Sequence, residues 1–307
     1  MDNDDAMIGT IWSRRQALRM GLGALVGGGM VASFIGCSTT DPSVSVARQP
    51  LLVSPALTEG PFFVDEKLNR SNLLAGATRP AVINGAPLQL NLGVLKLDAA
   101  GNAAPLTGAQ VDVWHCDTLG IYSDENNPMN AEITSGERWL RGYQLVDSTG
   151  AVRFSTIVPG WYNGRTPHIH FKVRQFSPAK QQTAEFTSQF FFADDTLGRV
   201  YAKSPYSAQG RRNMLNTDDG IYSERIKDGS LAGAHQLLPL TRAGGNGYSS
   251  QFTIVVSDAS LQDGSGPERG GPRGGPDGGP GGPDGGPGFG GPPGPPPDDG
   301  GFGPPPM

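Results

Sequence analysis

What most constrains this chain is a series of short apolar runs with period two, each rich in β-branched and aromatic residues: 88–97, 110–116, 141–146, 151–158, 168–174, 186–193 and 251–257. Side chains two positions apart return to the same face of a strand, so such runs bury one face of a sheet and do not form the apolar stripe of a helix. Turn-forming clusters separate them, among them Asp98-Ala99-Ala100-Gly101-Asn102 and Asp147-Ser148-Thr149-Gly150. The pattern predicts an all-β fold, an antiparallel β-sandwich with long loops and a few short helices. Those helices are expected near 208–216 and 222–229.

The flanks of this region are of a different character. Of the 46 Gly and 27 Pro in 307 residues, 19 Gly and 14 Pro fall within the last 44 residues, from Gly264 onward. Collagen needs Gly at every third position and this stretch lacks that period, so residues 258–307 read as a disordered Gly/Pro-rich tail. At the other end, Ser13-Arg14-Arg15-Gln16 precedes a Gly-rich apolar stretch that closes with Phe34-Ile35-Gly36-Cys37. The arrangement resembles a twin-arginine export signal over 1–37 ending in a lipobox, with Cys37 acylated and attached to a membrane. Export to the periplasm, the cell surface or the medium follows from it. Residues 38–56 then form a linker and 57–257 a single domain.

The only other cysteine is Cys116, so a lipidated Cys37 leaves it no disulfide partner. The net charge of −5 is carried mostly by the tail, and the nearly neutral body has no basic excess of the kind nucleic-acid binding needs.

Chemistry concentrates in Pro159-Gly160-Trp161-Tyr162-Asn163-Gly164-Arg165-Thr166-Pro167-His168-Ile169-His170-Phe171. In a strand, His168 and His170 share a face with Cα atoms about 6.6 Å apart, while Ile169 faces the core. Such a pair binds a metal or is simply hydrogen-bonded. Cys116, carboxylates and His235 could complete a metal site, but a cupin would carry Glu four residues after the pair, where this chain has Arg174. Tyr122 and Tyr162 are better placed. A phenolate is a hard anionic donor that gives up its proton only to a strong Lewis acid, so two phenolates with two imidazoles favour Fe(III).

With these residues in view, the sequence resembles the intradiol ring-cleavage dioxygenases, the family of catechol, protocatechuate and hydroxyquinol dioxygenases. The resemblance runs through Leu57-Thr58-Glu59-Gly60-Pro61-Phe62-Phe63, residues 111–122, the 150–158 hairpin, residues 165–170 and Thr187-Ser188-Gln189-Phe190-Phe191-Phe192. It implies that Tyr122, Tyr162, His168 and His170 bind a mononuclear non-haem Fe(III), with no other cofactor. It further implies that Tyr162 acts as a base, that Arg165 faces the substrate ring, that Gln189 is a polar neighbour of the iron and that His115 is structural. The implied partners are a small catechol and O2, both oxygen atoms entering a muconate-type dicarboxylate. The segment between Tyr162 and His168 is short beside that of well-studied members, so the pocket wall there differs. Two other readings stand beside this one: a non-catalytic β-sandwich binding lipoprotein of the envelope, and a cupin-like His-x-His metalloenzyme.

Overall fold

A computed structural model describes residues 51–263. The expected signal with Cys37, residues 38–50 of the expected linker and the tail from Gly264 lie outside the described residues.

In chain order the strands are β1 (Pro87–Leu97), β2 (Ala103–Pro105), β3 (Gln110–Trp114), β4 (Arg141–Leu145), β5 (Ala151–Ile157) and β6 (His168–Phe176). There follow β7 (Gln182–Phe192), β8 (Leu237–Leu238), β9 (Thr241–Ala243), β10 (Gly247–Ser257) and β11 (Gln262–Asp263). They form a five-stranded and a six-stranded sheet. In the first, β1 is central, with β5 and β2 on one side and β10, bordered by β9, on the other. In the second the order is β11-β7-β6-β3-β4, with β8 also beside β7. No helix among the described residues is long and apolar enough to cross a membrane.

The mostly-β expectation holds, but the pairing is not wholly antiparallel. β1 and β10 run parallel from Leu88↔Tyr248 to Leu97↔Ser257, and β7 and β8 are also parallel. A parallel pair needs a long connection, and here every strand of the second sheet except β11 lies between β1 and β10 in sequence. An apolar run carries no mark of its partner's direction.

Leu88, Leu90, Leu92 and Val94 of β1, Val152 and Phe154 of β5, and Ile254 and Val256 of β10 join one apolar cluster with residues of the other sheet. That sheet supplies Val111 and Val113, then Ile169, Phe171 and Val173, then Phe186, Phe190 and Phe192. Both sheets therefore bury their apolar faces in the same core. Period two then sends Trp114, His168, His170, Lys172, Arg174 and Gln189 to the opposite face of the second sheet, where they are nonetheless buried.

Residues 55–69 cover that second face. The segment starts at the edge of β7, where the Leu57 amide donates to Thr187 O (3.0 Å), and ends at β4, where the Tyr143 amide donates to Leu68 O (2.8 Å). Buried charges beneath it are paired, as burial demands. Arg174 donates to both oxygens of Asp112 (2.9 and 2.8 Å) and to Asp65 (2.8 Å). Lys172 pairs with Glu59 and Glu185. Phe63 lies against both cations.

Several boundaries differ from the sequence reading. β7 and β10 each begin four residues before their apolar runs, in stretches too polar to show the alternation, although Tyr248 of β10 joins the core. Residues 222–229 form turns in place of a helix: the Asp219 carboxylate takes the amides of Ile221 and Tyr222, and the Ile226 amide donates to Ser230 O. The stretch near 208–216 holds only the 3-10 turns Tyr206–Gln209 and Asn216–Asp218. Among the described residues the one two-turn helix, Asp194–Tyr201, has Asp194 and Asp195 in its first turn, where the helix dipole favours them, and buries Leu197, Val200 and Tyr201. Eight residues containing Gly198 carry too short a period to signal it. Ordered pairing also passes the 57–257 limits, since the Ser54 amide donates to Val255 O (2.8 Å) and β11 pairs with β7.

Phe171 is fully buried and stacks on Phe190 with centroids 4.2 Å apart. Phe171→Ala is expected to cost about 3–5 kcal/mol. Urea unfolding should show a lower midpoint at an unchanged slope.

Candidate metal centre

The site is built on β6 and two loops. His170 lies between Trp114 of β3 and Gln189 of β7, with the Trp114 ring stacked on its own at 4.9 Å and 7°. On the other side passes Gly60, at φ +73°, where an added Cβ would stand 3.3 Å from His170 Cε1. Only a residue without a side chain takes that conformation so close to the ring. The His168 Nδ1–H donates to Thr166 O (2.7 Å), which turns the Nε2 lone pair into the site.

The two phenols arrive on loops pressed backbone to backbone. Gly120 has φ +81° and a Cβ there would collide with the Trp161 carbonyl oxygen. The Gly160 amide donates to Asp117 O (2.9 Å) at the same crossing. The loop after β3 thereby brings Tyr122, and the loop after β5 brings Tyr162.

Tyr122 is held closely. Asn130 accepts from its amide (2.9 Å) and donates to its carbonyl (3.0 Å), Thr134 Oγ1 donates to the same carbonyl (2.7 Å), and the Phe62 ring stacks on the phenol at 4.3 Å. Arg141, 2% exposed, donates to Ser123 O, to Phe62 O (2.6 Å) and to Glu125 Oε1 (3.1 Å). It ties the loop carrying Tyr122 to the covering segment.

The donors converge. His168 Nε2 is 3.0 Å from His170 Nε2, 3.2 Å from Tyr162 Oη and 3.4 Å from Tyr122 Oη. Burial holds both imidazoles well below their ordinary range, so they are neutral, and Arg165 adds to the effect. Burial raises the Tyr122 phenol well above its usual value and pushes Tyr162 up to about 12, against the pull of Arg165.

A shared cation fits this set. Neighbouring ligands with bonds of about 2.1 Å set at right angles lie about 3.0 Å apart. The His168 lone pair otherwise faces another imidazole nitrogen at 3.0 Å, while His170 Nδ1 is buried without a partner among the described residues. Among the described residues no three His, Cys, Asp or Glu side chains gather into a metal cluster, and the groups nearest the two imidazoles are the two phenols.

Arg165 stands at the rim, its side chain 16% exposed. Its Nε donates to Asp219 Oδ2 (2.8 Å) and its Nη2 to Gln189 Oε1 (2.6 Å), and the Gln189 amide in turn donates to Thr58 O (2.7 Å). His115 stands apart, bonded to Thr156 Oγ1 and Cys116 O and held by burial down to about 4. His235 is bonded to Ser230 Oγ, and Cys116 is buried among Phe62, Trp114 and Tyr122. The sequence reading missed Asn130, Arg141 and Asp219, which carry no motif. An arginine opening an apolar strand was the one available hint. In Arg141→Ala, Glu125 would lose its buried partner, and a loss of about 3–5 kcal/mol is expected with less metal retained per chain. Denaturant titration and elemental analysis measure both.

The chain is similar to known proteins. The family model described as "Dioxygenase" matches residues 59–214. The chlorocatechol 1,2-dioxygenase of Pseudomonas sp. (strain P51) is 27% identical over 164 residues, covering 45% of this chain and 55% of that one. The enzyme of the same name from Pseudomonas putida is 28% identical over 166 residues, covering 42% and 57%. The chain thus spans little more than half the length of these relatives. Among solved structures, an intradiol ring-cleavage dioxygenase from Tetranychus urticae is similar at 27% identity and TM-score 0.55, over 67% of this chain and 95% of that one.

Proposed function

The chain belongs to the dioxygenase family of the intradiol ring-cleaving enzymes, and from that premise we propose that it is a mononuclear non-haem Fe(III) enzyme. It adds both atoms of O2 to a catechol and opens the ring between the two hydroxyl-bearing carbons, giving a muconate-type dicarboxylate. The observation that carries this reading is the convergence of Tyr122, Tyr162 and His170 on His168 Nε2 within 3.4 Å. The two sheets around one core are read as the layers of a β-sandwich. Export, with acylation at Cys37, is part of the same proposal and rests on Ser13-Arg14-Arg15 and Phe34-Ile35-Gly36-Cys37.

Ferric iron held by Tyr122, Tyr162, His168 and His170 would supply one thing: withdrawal of electron density from a chelated catecholate, so that the ring reacts with O2. The protein's groups do the rest. Tyr162 is the half-buried member of the set while Tyr122 is 1% exposed, so Tyr162 Oη is the ligand atom a substrate hydroxyl reaches first. It accepts that hydroxyl's proton. Arg165, fixed at the same rim, sets its positive charge against the anion that develops on the ring. Trp114, Phe62 and the two imidazoles are buried and keep bulk water from behind the donors. Arg174, in the position where a cupin has its ligand Glu, is committed to Asp65 and Asp112, which supports the tyrosine set over a cupin-like centre.

Purified protein is expected to hold about one iron per chain and to be red to burgundy from phenolate-to-Fe(III) charge transfer, with the colour lost in Tyr122→Phe. Oxygen uptake on a panel of catechols, with product absorbance of a muconate, measures the activity. Colourless protein carrying stoichiometric zinc would refute the assignment. Arg165→Ala is expected to keep iron and colour while turnover falls roughly 10²–10³-fold, the usual loss for a preorganised charge-stabilising donor.

A further inference from the structure

Asp219 lies just past the 3-10 turn Asn216–Asp218, in no motif, and its carboxylate is fully buried. Every interaction it makes bears on the rim of the metal centre or on its own turn. Oδ2 accepts from Arg165 Nε (2.8 Å) and from the Thr166 amide (2.8 Å). Oδ1 accepts from the amides of Ile221 (2.8 Å) and Tyr222 (3.1 Å). Three backbone amides thus fix the carboxylate, and the remaining contact is a charge-assisted bond to a guanidinium that is itself partly exposed. Gln189 Oε1 takes Arg165 Nη2 at the other end of the same planar group. Two anchors on different nitrogens set both the position and the plane of the guanidinium, and Nη1 has no protein partner among the described residues. A free arginine side chain samples many rotamers, and these contacts remove much of that freedom in advance.

The surrounding contacts reinforce the grip. Thr166 Oγ1 donates to Asn216 Oδ1 (2.7 Å), Gln209 donates to Trp161 O (2.6 Å), and Asn213 bonds Asn163. Residues 209–219 therefore clamp residues 161–166, and Asp219 is the one charged member of the clamp that meets Arg165.

We propose that Asp219 is a positioning residue for ring cleavage: through the Oδ2–Nε contact it holds the Arg165 guanidinium in the orientation that faces the substrate anion. The inference rests on the dioxygenase reading above. It assigns Asp219 no contact with substrate and no proton transfer.

The test uses the full-length, iron-loaded protein in a cycle of Asp219→Asn, Arg165→Ala and the double variant, with Asp219→Glu alongside. Iron content, charge-transfer colour, kcat/KM for catechol and the affinity for 4-nitrocatechol are measured for each. Asp219→Asn should keep wild-type iron and colour while kcat/KM falls at least tenfold. Asp219→Glu, which restores the carboxylate, should recover part of that loss. In the Arg165→Ala background, Asp219→Asn should lower kcat/KM less than threefold further, because the group it positions is already gone. Wild-type turnover in Asp219→Asn would overturn the proposal. So would an undiminished penalty in the Arg165→Ala background, or loss of iron and colour, since either assigns Asp219 to folding or to His168. If Asp219→Asn does not fold, the same cycle is read with Asp219→Glu, whose longer arm displaces the contact without removing the charge. Failure of the dioxygenase reading is distinct: iron-loaded wild type would neither cleave catechol nor bind 4-nitrocatechol.

Discussion

Strand β6 has a core on one side and a polar chamber on the other, and most of the molecule follows from keeping both dry. Ile169, Phe171 and Val173 commit one face to the shared apolar cluster. Alternation then delivers two imidazoles, an ammonium and a guanidinium to the opposite face, all buried. Bare burial of such groups is prohibitive unless each finds a partner. Arg174 finds Asp112 and Asp65, and Lys172 finds Glu59 and Glu185. The imidazoles find the phenols. The covering segment 55–69 supplies two of the four carboxylates, Glu59 and Asp65, so docking it completes the charge pairing and walls the candidate metal centre in one step.

The same dryness sets the chemistry of the donors. Without a cation, burial favours protonated phenols and neutral imidazoles. A cation reverses the balance for the phenols, so metal binding must release their protons, and affinity strengthens with pH while those protons compete. Neutral imidazoles need no such release. The mixture suits a highly charged ion, because a weak Lewis acid would not displace two protons from a buried pair of phenols.

Legibility divides along the distance over which each contact acts. His168 and His170 could be read from period two because their relation is local to one strand. The strands themselves were visible where apolar residues alternate, and invisible where β7 and β10 begin in polar sequence. Tyr122 and Tyr162 were named from the chemistry of phenolate donors and then from family resemblance, while the backbone crossing at Gly120 and Trp161 that unites them is tertiary and left no local sign. Asn130 and Asp219 had no local sign at all, and Arg141 had only its place at the head of an apolar run. Each works by bonding to backbone or to a charge that only the fold brings near, and Asp219 reaches Arg165 across 54 residues. The parallel pairing of β1 and β10 was hidden for a like reason, as partner direction is a property of the connection and not of the strand.

The backbone crossing at Gly120 leaves the two phenol loops no room for side-chain variation at their point of contact. Two residues beyond Tyr162, between the tethered Asn163 and Arg165, Gly164 alone is open: it is exposed, has φ +86° and has nothing within 4 Å of where a Cβ would stand. Loop tips of this kind accept insertions that packed segments refuse. The crossing that sets the two phenols and the loop tip at Gly164 are therefore under separate control, and the chain can be lengthened between Asn163 and Arg165 without touching the contact at Gly120.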